Sequence, residues 1–338
     1  MTDVPVIDLT PCYTGTAADK AALARRIDKA CSEIGFFTVA GHRVAKPLVD
    51  DVFDTAFEFF NLPVEEKRRY LPPPDTVLRG YMAHATNKLA KSRGKETPPD
   101  LREGYFIGRP DLTGDEKIDD PDARPFYRPC IWPERPPRFA PVFSAYYAEM
   151  SRLAGDLMSL FALGLGLDEG YFDDKIDDHF AALNVFHYPR QSAAPEGGQL
   201  RAGAHTDFGS LTILLQMPGT GGLEVMAHDG QWRHLPPRED TFVINIGDMM
   251  AWWTNDRWRS TLHRVVNPPG ESTARSARVS VGFFCHPNFD ARVDPPASCA
   301  GGEVRESIKA GEWMRRKIFA VRGIPIPAKP SVPTDAAE

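Results

Sequence analysis

The chain has 338 residues, of which 42% are apolar and 25% charged, and its formal net charge is −6. That balance belongs to a globular protein with a sizeable core, and the acidic excess excludes a broad basic surface for nucleic acid, so a small-molecule substrate is expected. Five cysteines (Cys12, Cys31, Cys130, Cys285, Cys299) without a CxxC exclude a disulfide framework, no apolar run approaches the ~18 residues of a membrane span, and the N-terminus lacks a charged-then-apolar leader, so a cytoplasmic monomer is expected.

In chain order, Val4–Leu9 alternates weakly and predicts a short strand. Ala17–Ile34 predicts a helix with Leu23, Ile27 and Ala30 on one face, broken by Gly35. Phe36–Ala40 is rich in β-formers and predicts a strand; Lys46–Phe60 predicts a second helix that stops before Leu62-Pro63. Residues 71–140 are interrupted by Pro72-Pro73-Pro74 and Pro98-Pro99 and read as a loop-rich stretch, a lid or one wall of a pocket. A longer helix is expected over 141–165, with Leu153, Leu157, Leu160 and Phe161 on its core face.

From about residue 180 the texture changes. Short β-like runs recur at Ala182–Tyr188, Leu211–Gln216, Leu223–Met226, Trp232–Leu235, Thr241–Ile246, His263–Val266 and Arg278–Cys285. Turn signals such as Asp229-Gly230 and Pro236-Pro237 separate them. Many short strands with such punctuation predict a sandwich or jelly roll. The expected class is therefore α+β with a mainly β core. Residues 1–140 form a helical and loop-rich region, 141–325 the core, and 326–338 a frayed Pro- and Ala-rich tail, all in one structural unit.

The chemistry-bearing residues begin with His205-Thr206-Asp207. In a strand, residues i and i+2 share a face, so this imidazole and carboxylate would reach one ion together. His263 opens a later β-like run and supplies a second imidazole. Two His and one carboxylate make the facial triad of non-haem iron(II) oxygenases, which leaves positions open for a co-substrate and O₂. An HxD pair alone is a weak signal, and the other histidines lack such partners; packing is the expected role of His187. Arg278 and Ser280 would share a strand face, where a guanidinium fork and a hydroxyl clamp a carboxylate.

Beyond these pairs, a series of motifs occurs in a fixed order. VPVIDL, GFFTVAGH (35–42), FFNLPVEEK (59–67) and RGY (79–81) come first, and IWPE (131–134), HYP (187–189) and GAHTDFGSLTILLQ (203–216) follow. GGLEV (221–225), NIGDMM (245–250), STLHRVVNP (260–268) and RVSVGFF (278–284) complete the set. Over about residues 4–325 the chain resembles the isopenicillin-N-synthase-like branch of the iron(II)/2-oxoglutarate dioxygenases.

The resemblance implies a double-stranded β-helix, or jelly roll, flanked by N-terminal helices, and Fe(II), 2-oxoglutarate and O₂ as cofactor and co-substrates. It implies that His205, Asp207 and His263 bind iron, that Arg278 and Ser280 hold the distal carboxylate of 2-oxoglutarate, and that Tyr188 hydrogen-bonds the co-substrate. Plant members often carry Asn two residues before that Tyr, where this chain has Phe186; Asn184 points to the same side by alternation. The turn NPPGESTARSAR is longer than in many relatives and is expected to bulge. Asn245 and Asp248 are candidates to orient the ligands. Phe208 and the Trp252, Trp253, Trp258 cluster are expected in the core, and Tyr105 and Phe106 near the substrate. Three readings stay open at this level: a 2-oxoglutarate-dependent oxygenase that releases succinate and CO₂, an oxidase of the same fold that does not use 2-oxoglutarate, and a non-catalytic ligand-binding protein.

Overall fold

A computed structural model of the chain describes residues 4–322, except 75, 191–194, 220, 268–276 and 300–304. The expected bulge after Asn267 and the frayed tail lie outside the described residues.

β1 (Val6–Asp8) and α1 (Thr10–Thr14) lead into α2 (Ala17–Glu33). At the start of α2, Thr16 Oγ1 accepts from the Asp19 amide, and the Asp19 carboxylate accepts from the Thr16 amide, satisfying two N–H groups that have no partner within the helix. Gly35 ends the element at φ +73°, where a Cβ would lie 2.1 Å from the Arg259 carbonyl oxygen, so only glycine fits. β2 (Phe36–Ala40), α3 (Lys46–Phe60) and α4 (Val64–Arg68) follow. The Pro-rich stretch is not all loop: it contributes β3 (Gly80–Met82) and β4 (Glu103–Ile107). These pair with each other and with a strand some eighty positions later, which local composition does not encode. α5 (Phe139–Gly164) is the long helix, and α6 (Asp173–Ile176) is a single turn.

The β-rich part comprises β5 (Ala182–Tyr188), β6 (Ala202–His205), β7 (Leu211–Gln216), β8 (Leu223–Met226), β9 (Trp232–His234) and β10 (Phe242–Ile246). After α7 (Asp248–Trp253) come β11 (His263–Val265), β12 (Arg278–Cys285), β13 (Arg292–Val293), β14 (Ile308–Lys309) and α8 (Ala310–Arg322).

An eight-stranded sheet runs β1-β2-β10-β7-β12-β5-β4-β3, and a four-stranded sheet runs β6-β11-β8-β9. This is the jelly-roll architecture, with strands from the N-terminal region completing both edges of the larger sheet. Alternation along each strand divides its side chains. In β5, Leu183 and Val185 join the main core cluster, which also holds Leu153, Leu157 and Phe161 of α5 and Leu23 and Ile27 of α2. Ala182, Asn184, Phe186 and Tyr188 turn the other way and line a cavity between the sheets. Trp253 and Trp258 are buried in the main core as expected; the Trp258 indole N–H donates to Asp28 Oδ1 at 2.8 Å.

Candidate active site

His205 is the last residue of β6, and β11 runs antiparallel to it with His263 directly opposite His205. The ring centroids are 4.3 Å apart. Asp207 is not in the strand: β6 ends at His205, and residues 206–208 have no regular structure. Strand alternation therefore does not by itself bring the HxD pair together, contrary to the sequence expectation. The segment after the strand does so, held by the Asp248 amide donating to the Asp207 carbonyl at 2.7 Å.

Asp207 Oδ1 lies 3.7 Å from Nε2 of both histidines. Among the described residues these three form a cluster whose ligand atoms all lie within 4.8 Å of one another. Separations of 3.7 Å are within twice a metal–nitrogen bond of about 2.1 Å, so the three atoms fit around one ion. Each imidazole is aimed by its other nitrogen. Nδ1 of His205 is 2.7 Å from the Gly203 carbonyl, and Nδ1 of His263 is 3.1 Å from the Thr261 carbonyl. A carbonyl only accepts, so each Nδ1 carries the hydrogen and each Nε2 lone pair faces the cluster.

Electrostatics favour the ligating forms. Burial, reinforced by the neighbouring His263, lowers the His205 imidazole to about 3 and keeps it neutral. Burial alone would raise the Asp207 carboxyl. The two imidazoles and hydrogen bonds from Thr212 and Asn245 outweigh it and hold the group below its usual range. Asn245 was a candidate orienting residue and does orient Asp207. Asp248 does not: its carboxylate accepts from Ser260 (2.7 Å) and Lys317 (3.0 Å).

A cavity of about 390 Å³ opens beside the cluster. On its β12 wall stand Arg278 and Ser280; Arg278 pairs with Tyr188 in register, and its guanidinium carbon lies 4.5 Å from the Tyr188 ring centroid. Both are almost fully buried. Arg278 also donates to the Gly221 carbonyl at 3.2 Å. Asn184 and Gln216 line the same wall, each with a buried side-chain oxygen that lacks a hydrogen-bond partner among the described residues. A cationic fork and a hydroxyl on one concave wall suit the carboxylate of a small polar acid.

The chain matches two family models: the non-haem dioxygenase in morphine synthesis N-terminal family over residues 4–135, and the 2OG-Fe(II) oxygenase superfamily over residues 179–287. It is 33% identical to validamycin A dioxygenase of Streptomyces hygroscopicus subsp. limoneus over 93% of this chain and 85% of that one. It is 34% identical to a homoarginine-6-hydroxylase of Oryza sativa subsp. japonica, over 94% and 96%. The chain belongs to the iron(II)- and 2-oxoglutarate-dependent dioxygenases. The crystal structure of a full-length Neurospora crassa protein in complex with alpha-KG and thymine superposes on this dioxygenase with a TM-score of 0.81 at 30% identity, covering 94% of this chain and 96% of that one. The dioxygenase is an oxidoreductase whose cofactor is Fe(II) and whose co-substrates are 2-oxoglutarate and O₂; it oxidises a small molecule.

The remaining walls of the dioxygenase's cavity come from two places. Leu78, Met82, Leu89 and Phe106 belong to the 71–140 stretch, and Met314 and Ile318 to α8. That stretch is thus a wall of the pocket. Phe106 faces in, whereas its neighbour Tyr105 faces the main core and donates to the Ile131 carbonyl at 2.7 Å. Phe208 lines the cavity as well as packing against the core, because Asp207 and Phe208 lie beyond the end of β6 and do not alternate as strand residues do. His187 faces away from the cavity and is buried against the helical side of the sheet, with Nδ1 2.8 Å from Glu103 and its ring stacked on Phe60. Sequence reasoning missed Thr212 and Arg102. Thr212 sits in the quoted motif GAHTDFGSLTILLQ, but nothing local marks its hydroxyl as the partner of Asp207. No helix is long and apolar enough to cross a membrane among the described residues.

Proposed function

We propose that His205, Asp207 and His263 hold the catalytic Fe(II), that Arg278, Ser280 and Tyr188 hold 2-oxoglutarate, and that the remaining apolar cavity takes a small organic substrate for hydroxylation, desaturation or ring closure. The observation that carries this reading is the position of both groups of residues on one cavity. The ion would sit at one end and a carboxylate clamp on the facing wall. Iron bound there supplies O₂ activation coupled to conversion of 2-oxoglutarate into succinate and CO₂.

The protein's own part is positioning and exclusion of water. The carbonyls of Gly203 and Thr261 fix the two imidazoles, and Thr212 and Asn245 fix the carboxylate. Arg278 and Ser280 set the far end of the co-substrate. The 71–140 wall and α8 shield the centre and shape the substrate's space. We assign the whole chain to one unit, in which 1–140 supplies helices, a pocket wall and edge strands, and 141–325 supplies the core. The shared eight-stranded sheet supports this. We also assign the protein to the cytoplasm as a monomer; its five free thiols fit a reducing compartment.

Anaerobic titration of the Fe(II)-loaded protein with 2-oxoglutarate tests the reading. Chelation gives a weak metal-to-ligand charge-transfer band in the visible, absent in His205→Ala. A wild-type protein that binds Fe(II) but develops no band refutes the assignment.

A further inference from the structure

Arg102 stands one residue before β4. Continuing the β4–β5 register, in which Glu103 is opposite His187, sets Arg102 opposite Tyr188. Alternation divides the two neighbours. Glu103 turns to the opposite, buried face of the sheet, where it accepts from Lys67 (2.7 Å) and Tyr81 and pairs with His187. Arg102 turns into the cavity.

Only 5% of Arg102 is exposed. Its guanidinium carbon lies 4.0 Å from the Phe186 ring centroid, and among the described residues its Nε is buried without a hydrogen-bond partner. The guanidinium hydrogen-bonds the Tyr188 side chain and its charge acts on the nearby Asp100 carboxyl, but the Asp100 oxygens accept the backbone N–H groups of Leu89 (3.0 Å) and Gly203 (2.9 Å) and form no ion pair with it. A buried cation whose fork is not met by a carboxylate is unfavourable unless a ligand meets it. Glu103, on the opposite face, shows the contrast, because each of its oxygens has a partner.

The position of Arg102 relative to the other site residues is informative. In the sheet, β5 lies between β4 and β12. Tyr188 therefore has Arg102 on one side and Arg278 with Ser280 on the other. Burial would push the Tyr188 hydroxyl up, yet Arg102 and Arg278 together hold it below its ordinary value. Arg102 thus lines the same cavity as the clamp and the His–Asp–His cluster, on the opposite side of Tyr188 from Arg278. Phe186 offers no hydrogen-bonding group on that stretch of wall, and the guanidinium stacked on its ring does.

Building on the iron-site reading above, we infer that Arg102 binds a carboxylate inside the cavity, at a second anion position separate from the Arg278–Ser280 clamp. That carboxylate belongs either to the iron end of 2-oxoglutarate or to the primary substrate. Arg102 is a positioning residue in the first case and a determinant of specificity for organic acids in the second.

The test uses the Fe(II)-loaded full-length protein under anaerobic conditions, comparing wild type with Arg102→Met and Arg102→Lys. Melting temperature and Fe(II) affinity serve as controls for folding. The first arm is the 2-oxoglutarate Kd from the charge-transfer band. The second arm, at saturating 2-oxoglutarate, is the binding of 3-phenylpropionate and octanoate against their neutral amides, read as perturbation of that band. A rise of tenfold or more in the 2-oxoglutarate Kd for Arg102→Met, partly restored in Arg102→Lys, assigns the carboxylate to the co-substrate. An unchanged Kd, with a wild-type preference for acids over amides that disappears in Arg102→Met, assigns it to the substrate. If neither quantity changes, the inference is overturned while the iron site stands. If the wild type gives no band, both fall together. Should Arg102→Met not fold, Arg102→Lys carries the same comparisons, because a point-like ammonium does not reproduce the fork.

Discussion

Asn245 donates its side-chain amide to Asp207 Oδ2 at 2.7 Å, which leaves Oδ1 facing the two imidazoles. A carboxylate only accepts, so the amide orientation of Asn245 is determined by its partner. Thr212 Oγ1 donates to the same Oδ2 at 2.6 Å. Together they hold the carboxylate in one rotation. Asn245→Ala is expected to weaken Fe(II) binding by roughly 10- to 100-fold while leaving the fold intact. A metal-competition titration measures this, and an unchanged Fe(II) Kd would remove the orienting role.

His205→Ala removes one of the three ligand atoms and is expected to abolish Fe(II)-dependent succinate release. Retention of turnover in the variant would overturn the assignment of the three residues to iron.

Arg278→Ala deletes the cationic part of the clamp while leaving Ser280 and Tyr188. Charge-assisted bidentate contacts are the strong ones, so the 2-oxoglutarate Kd and KM are expected to rise by about 10-fold or more. Fe(II) affinity in the absence of 2-oxoglutarate is expected to stay at the wild-type value. A KM that does not move refutes the clamp.

Glu103 satisfies three buried partners at once, and Lys67 and Glu103 are each about 5% exposed. Burial alone would raise the Glu103 carboxyl, but the hydrogen bonds from His187, Lys67 and Tyr81 hold it below its usual range. Glu103→Leu strands the Lys67 ammonium in the interior. The expected loss is about 3–5 kcal/mol of unfolding free energy. Urea denaturation measures it, and a loss below about 1 kcal/mol would show that the lysine finds water or another partner.

His179 and His286 are each pushed down to about 4, chiefly by burial. The unfolded chain takes up these protons near 6.5, whereas the folded chain resists until about 4. The two histidines leave stability unchanged above about pH 6.5 and lower it as pH falls from 6.5 towards 4. One unit is worth about 1.4 kcal/mol, so each accounts for roughly 3 kcal/mol at most. Chemical denaturation from about pH 7 to about pH 4 should show this slope, reduced in His286→Gln. An identical slope in the variant assigns the acid sensitivity to other groups.

Much of the scaffold was legible locally. The strands Phe36–Ala40, Ala182–Tyr188, Leu211–Gln216, Leu223–Met226 and Arg278–Cys285 and the helix Lys46–Phe60 have the predicted ends, because apolar periodicity and turn residues mark them in short windows. β3 and β4 were not legible. Gly80–Met82 and Glu103–Ile107 lie amid prolines and glycines, and they become strands by pairing with each other and with β5. Phe208 reads as core alone in the sequence for a related reason: β6 ends at His205, and strand alternation stops applying there.

The sequence by itself determined the donor types, their order and the family, since His205, Asp207, His263, Arg278 and Ser280 sit in motifs whose succession is specific. It also determined the alternation that puts Arg278 and Ser280 on one face of their strand. Tertiary structure alone decided which atoms meet: His263 opposite His205, Asn245 and Thr212 on the far oxygen of Asp207, and Arg102 beside Tyr188. Apart from Thr212, five positions from Asp207, those relationships join residues tens of positions apart, and sheet register sets the pairs of His263 and Arg102. Register is set by the packing of whole strands, so no short window of sequence contains it.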